Sequence, residues 1–256
     1  MRGLGVTGTG RAGRALIARF TAAGLCPEHL AETADAARQA EFRLGLQVLV
    51  LVSDDVAEVE ALLFEGPRLG RDVGMLSHIV IVGTLPLRYV RALRGRIARQ
   101  VALADLPFSG GMRALSLGRA AFHLGATPEA AAEIAPLLQA LGAPVSRMGP
   151  FGAGTAAKVM QDALATSANA MTRLALDWAA AQGLDDRALL DMSGTLLAGL
   201  NGPLRDRPEE ETSAVDCDHL SEAVEAALDS ALCGAQLTPP RAHGQIVRPG
   251  KDRTLH

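Results

Sequence analysis

The chain has 256 residues, room for one large or two modest domains, and 48% of them are hydrophobic, enough for a substantial core. Its formal charge is −3, with arginines and acids spread along the whole length, so the basic stripe that a nucleic-acid partner requires is missing. The longest apolar stretch, Leu44 to Val52, is interrupted by Gln47 and falls well short of the about 20 residues that cross a bilayer.

In chain order, residues 3–8 suit a short strand, and residues 11–23 carry apolar side chains at helical spacing among arginines, ended by Gly24. His29 to Thr33 is a weak strand. Gln47 to Val52 is a strong one, apolar throughout as in a strand buried on both faces. A helix is expected from Asp54 to Phe64, a buried strand over His78 to Val82, and a helix opened by Pro86. Short strands follow at Val101 to Ala104 and Arg119 to Leu124, then a helix from Pro128 to Leu141. Strands alternating with helices imply a parallel sheet with helices on both faces.

Near residue 150 the pattern changes. Thr155 to Gln182 contains no strong breaker and reads as one long helix, with further helices at 185–200 and 215–233 around a polar loop, Asn201 to Glu211. From Thr238 the chain is rich in Pro, Gly, Arg and His and reads as a flexible tail. The expected organisation is an α/β domain over 1–150, where a strand, a glycine loop with Gly8, Gly10 and Gly13 and a helix point to a dinucleotide-binding Rossmann domain, then a small all-helical domain over 151–237 and a tail over 238–256. Cys26, Cys217 and Cys233 are widely separated and make no zinc spacing, so reduced thiols and no metal are expected. Glycines stand near the N-terminus where a signal peptide would have an unbroken apolar run, and a cytoplasmic protein without a membrane partner is expected.

Gly8-Thr9-Gly10-Arg11-Ala12-Gly13 is a GxGxxG between a strand and a helix. Its first glycine permits the tight turn, the second the approach of a pyrophosphate, and the third close packing of helix on strand. The helix N-terminus supplies amide donors and partial positive charge. In a dinucleotide fold the end of the second strand reads the adenosine ribose. Glu32 is there, with no arginine until Arg38, which favours NAD over NADP unless Glu32 is simply a solvated residue at a strand end.

Ser109-Gly110-Gly111 offers a hydroxyl and exposed amides to a polar substrate, though alone it reads as an ordinary turn. The segment Gly149 to Lys158 says more. Of 25 basic residues only Lys158 and Lys251 are lysine, so a lysine placed one turn into an Ala-rich helix asks for a reason beyond surface charge. Lys158 suits proton transfer better than a role as a snorkelling cation, and Asp162 lies four residues on, on the same face.

Three blocks resemble the beta-hydroxyacid dehydrogenase family, which includes 3-hydroxyisobutyrate dehydrogenase and 6-phosphogluconate dehydrogenase. Gly5 to Gly13 resembles its GFIGLGxMG, Asp105 to Gly111 its DAPVSGG, and Gly149 to Lys158 its GxxGxGxxxK; Gly83-Thr84-Leu-Pro86 is similar to its ST-x-x-P loop, one residue shorter. The resemblance implies Lys158 as catalytic acid/base, Ser109, Gly110 and Gly111 on a small-molecule substrate, Thr84 near the nicotinamide, and a homodimer built through the long helix. Three departures stand out: Asp162 replaces the family's asparagine, Leu174 a glutamate, and Asp218-His219 a Lys-Asp pair. A negative charge at Asp162 disfavours a simple acidic substrate unless it is protonated or paired with Lys158. The expectation is an NAD(P)-dependent oxidoreductase on a hydroxyl/carbonyl couple, with Asp162 in the substrate site. The alternatives are an imine reductase on the same fold and a non-catalytic dinucleotide-binding protein derived from the family.

Overall fold

In the computed structural model, residues 3–191 are described, apart from 9, 32, 33, 186 and 189. Thr9, Glu32, the loop and helix expected beyond 191, Asp218-His219 and the tail therefore lie outside the described residues. The chain divides into two units, Met1–Ala165 and Thr166–His256, and the first holds the sheet and everything discussed as a site.

The first half runs β1 (Leu4–Thr7), α1 (Arg11–Ala22), β2 (Glu28–Leu30), α2 (Ala36–Gly45), β3 (Val48–Val52), α3 (Val56–Glu60), β4 (His78–Val82), α4 (Leu87–Arg96) and β5 (Ala102–Asp105). A π-helical turn, Ala61–Glu65, continues α3. The five strands are parallel in the order β2-β1-β3-β4-β5. Every residue of β3 and β4 is buried, because each face of the sheet carries its own core. Strand alternation divides them: Val50 and Val80 pack with Leu16 and Phe20 of α1, while Leu49, Leu51, Ile79 and Ile81 pack with Phe42 of α2 and Leu93 of α4. At about 1.5–3 kcal/mol for each large side chain removed from water, these two layers dominate the stability of the domain.

Beyond β5 the sheet stops being purely parallel. β6 (Phe108–Ser109), α5 (Gly111–Leu117) and β7 (Ala121–Gly125) follow, and β7 runs antiparallel to both β5 and β6. A parallel return needs a crossover that carries the chain back along the whole sheet. The seven residues of α5 are too few for that, so β7 starts from the end where β5 finished. The expected helix from Pro128 to Leu141 is also two, α6 (Pro128–Glu133) and α7 (Ala135–Ala140). Pro136 has no N–H to give back along the helix and its ring crowds the carbonyl four residues earlier, so the ladder breaks at Ile134. β8 (Val145–Gly149) pairs with β7 in parallel, and α8 spans Ala153–Ala181. No helix among the described residues is long and apolar enough to cross a membrane.

Arg19 of α1 ties this second half to the first. Its Nε donates to the Leu115 carbonyl at 3.1 Å and its Nη1 to the Leu141 carbonyl at 2.7 Å. The last turns of α5 and α7 thus gain a cationic cap, favourable at a helix C-terminus.

Candidate functional site

The glycine loop joins β1 to α1 at the C-terminal edge of the parallel strands, where open α/β sheets bind ligands. Its glycines meet different surroundings. A Cβ on Gly8, whose φ is +102°, would stand 2.2 Å from the Val52 carbonyl oxygen, and one on Gly13 would stand 2.0 Å from that of Gly8. A Cβ on Gly10 would meet nothing within 4 Å. The turn is closed beneath and open above, a cradle that fits the pyrophosphate of a dinucleotide. The cleft over it, about 430 Å³, is lined by Gly8, Gly10, Arg11, Ala12 and Gly13 on one side and by Ser53, Asp54 and Glu58 on the other.

A second cleft of about 410 Å³ brings Thr84, Ser109, Gly110, Gly111, Lys158 and Asp162 together. Asp54, Gly83 and Phe108 line both clefts, so the two adjoin. Asp54, two residues past the end of β3, accepts a 2.5 Å hydrogen bond from the Thr84 amide and fixes the loop that opens α4. Gly110 and Gly111 have φ of +101° and +70°, a backbone that explains two glycines after Ser109. The side chain of Lys158 is only 13% exposed, and its Nζ is ion-paired with Asp162.

The start of α8 is fixed by a buried carboxylate. Asp105, at the end of β5, accepts from the Gly152 amide at 2.6 Å, the Thr155 amide at 2.5 Å and the Thr155 hydroxyl at 2.8 Å. It is fully buried, and burial pushes its pKa up while those hydrogen bonds pull it down. Supplied from another strand, it does the work of an N-cap, and Lys158 follows one turn later. Gly125 and Gly154 make the approach tight: a Cβ on Gly154 would lie 2.2 Å from the His123 carbonyl oxygen, and one on Gly125 2.1 Å from Asp105 Oδ1.

Sequence reasoning missed Asp54, Asp105, His123 and Gln161 as contributors. Asp105 ends β5 and Asp54 stands two residues past β3, but only the fold shows what either carboxylate binds. Gln161 lies three residues after Lys158 on the same helix. His123 carried no signal beyond being the one ionisable side chain of β7.

Comparison with known proteins identifies the family of the α/β domain. The NAD-binding domain of 6-phosphogluconate dehydrogenase matches residues 3–149. The chain belongs to that family, which it shares with 3-hydroxyisobutyrate dehydrogenase. An NAD-dependent L-serine dehydrogenase of Pseudomonas aeruginosa is 30% identical over 174 residues, 64% of this chain. The match spans 55% of that relative, little more than half its length. A 3-hydroxyisobutyrate dehydrogenase of Mycobacterium tuberculosis, solved with L-serine, has a TM-score of 0.64 at 21% identity, covering 75% of this chain and 69% of that one. An imine reductase from Myxococcus stipitatus, a variant solved with NAD+, has a TM-score of 0.71 at 16% identity, over 93% and 87% of the two chains. At these identities the two structures speak for a shared fold, and the family's dinucleotide-binding domain coincides with the sheet and glycine loop described above.

Proposed function

We propose that this protein is an NAD(P)-dependent oxidoreductase that interconverts a hydroxyl and a carbonyl on a small molecule. The observation that carries the reading is that Lys158 shares a cleft with Ser109, Gly110, Gly111 and Thr84, and that this cleft adjoins the open glycine loop through Asp54, Gly83 and Phe108. Gly8, Gly10, Arg11, Ala12 and Gly13 would hold the pyrophosphate of the cofactor, with Thr9 completing the loop. When bound, a nicotinamide supplies or accepts the hydride. Lys158 Nζ would give its proton to the substrate oxygen during reduction and take it back during oxidation. Ser109 and the amides of Gly110 and Gly111 would hold the substrate beside it. Asp162 keeps the ammonium of Lys158 tethered one turn along α8.

Titration with both nicotinamide cofactors, followed by a panel of hydroxy acids, aldehydes and imines, tests the reading. General acid/base help is worth about 10²–10⁴-fold in rate, so Lys158→Ala should lower kcat by that order and leave cofactor affinity nearly unchanged. Full turnover by Lys158→Ala would remove the lysine from the chemistry. Cofactor binding without turnover anywhere on the panel would mark a non-catalytic descendant. One observation favours a second reading: the Asp162 carboxylate lines the substrate cleft, where it would suit an iminium, and turnover of imines alone would select imine reduction.

A further inference from the structure

Ser109 Oγ lies 2.5 Å from Gln161 Oε1 and 3.1 Å from His123 Nε2, and those two atoms are 3.0 Å apart. The protons of this closed triangle can be assigned. An amide oxygen only accepts, so Gln161 Oε1 needs protons from its neighbours. His123 Nδ1 is buried and has no hydrogen-bond partner among the described residues. A proton there would orphan a buried N–H, which native structures avoid more strictly than an orphaned acceptor. His123 therefore carries its proton on Nε2 and donates it into the triangle. Turning the Gln161 amide over would force His123 to accept at Nε2 and return the proton to Nδ1, so the same orphan excludes it. Ser109 gives its only proton to Gln161. What Oγ shows the cleft is lone-pair density.

The charges around it point the same way. The described residues lining this cleft include two carboxylates, Asp54 and Asp162, and one ammonium, Lys158, which is already paired with Asp162. A wall that accepts hydrogen bonds and carries excess negative charge selects a donor with positive charge.

We propose that His123 and Gln161 are positioning residues that hold Ser109 as a hydrogen-bond acceptor, so that the cleft takes an alcohol or carbonyl compound bearing an ammonium on the carbon next to the reacting one. This rests on the oxidoreductase reading for the reacting carbon, while the polarity of Ser109 stands on the triangle alone. L-serine and 3-hydroxypropionate, which differ by that ammonium, are the probes, measured by calorimetry against the protein with and without NADH. L-serine should bind about ten- to a hundredfold more tightly, the ratio expected of a hydrogen bond to a charged group.

Gln161→Leu frees the Ser109 proton to turn into the cleft and should reduce that ratio about tenfold; Gln161→Glu keeps an accepting oxygen and should preserve it. Independently of any ligand, the ring nitrogen shifts of His123 in the wild-type protein should report a proton on Nε2. A proton on Nδ1, equal affinities for the two probes, no affinity for either, or a ratio untouched by Gln161→Leu would each overturn the proposal. Preferential L-serine binding without turnover on any substrate would sink the oxidoreductase reading alone.

Discussion

Gly10 and Gly13 are both small for the sake of a close approach, but to different things. Gly13 is pressed against its own chain, and Gly10 faces open space. Gly10→Val should therefore melt near the wild-type temperature while its affinity for NAD(H) and NADP(H) collapses. Gly13→Val should lose stability, by the about 1–3 kcal/mol typical of overpacking or more, since its new methyls meet backbone. Thermal melts with calorimetry separate the two, and a Gly10→Val protein that binds either cofactor normally would remove the loop from the phosphate site. The choice of cofactor is a separate expectation, drawn from the sequence after β2. Leu30 pairs with Thr7, so β2 ends level with the loop, and Glu32 follows two residues later. A glutamate there should bond the ribose and repel a 2′-phosphate, giving NAD the smaller dissociation constant; tighter NADP would transfer that reading to an arginine such as Arg11 or Arg38.

At the scale of elements, the decisive contact is where the start of α8 crosses β5 and β7 at Gly154 and Gly125. A side chain at 154 has backbone on three sides, His123, Gly125 and Asp105. Gly154→Ala should lift the first turn of α8 and carry Lys158 away from Ser109. A misplacement of about 1 Å can cost about 10²-fold in rate, so kcat should fall by that order with cofactor affinity intact, because the glycine loop is on the other side of the sheet order. An unchanged kcat would mean that α8 tolerates the displacement.

The sequence shows the glycine loop and Lys158 plainly, because local spacing carries them. It hides Asp105, whose partners are 47 and 50 residues away and become neighbours only through folding. The same holds for strands and helices. β3 and β4 are apolar throughout and easily read. β8 has mostly exposed side chains, and α2 is short and polar, so neither stands out. The antiparallel turn at β7 follows from the shortness of α5, which is itself invisible among turn-forming residues.

On the scale of the whole molecule, the expectation of a homodimer built through α8 can be put to a test. Within Met1–Ala165 both faces of the sheet are covered by helices, and the large hydrophobic residues of the two cores are buried. Outside those cores Leu44, Met75 and Leu117 are exposed singly, whereas Val159, Met160 and Leu164 are exposed close together on α8, Met160 at 62% and Leu164 at 69%. Met160 and Leu164 are four residues apart and so lie on one stripe of the helix. Contiguous apolar stripes of this kind mark interaction surfaces, and a 29-residue helix, about 44 Å at 1.5 Å per residue, is long enough to supply one side of a stable interface. The expected occupant is the same stripe of a second copy, since a two-fold pairing buries identical surfaces against each other. Light scattering at micromolar concentration should give the mass of a dimer, and Leu164→Glu should shift it to the monomer without loss of cofactor binding at the glycine loop. A wild-type protein that is monomeric under those conditions would show that the stripe is covered by something other than a second copy.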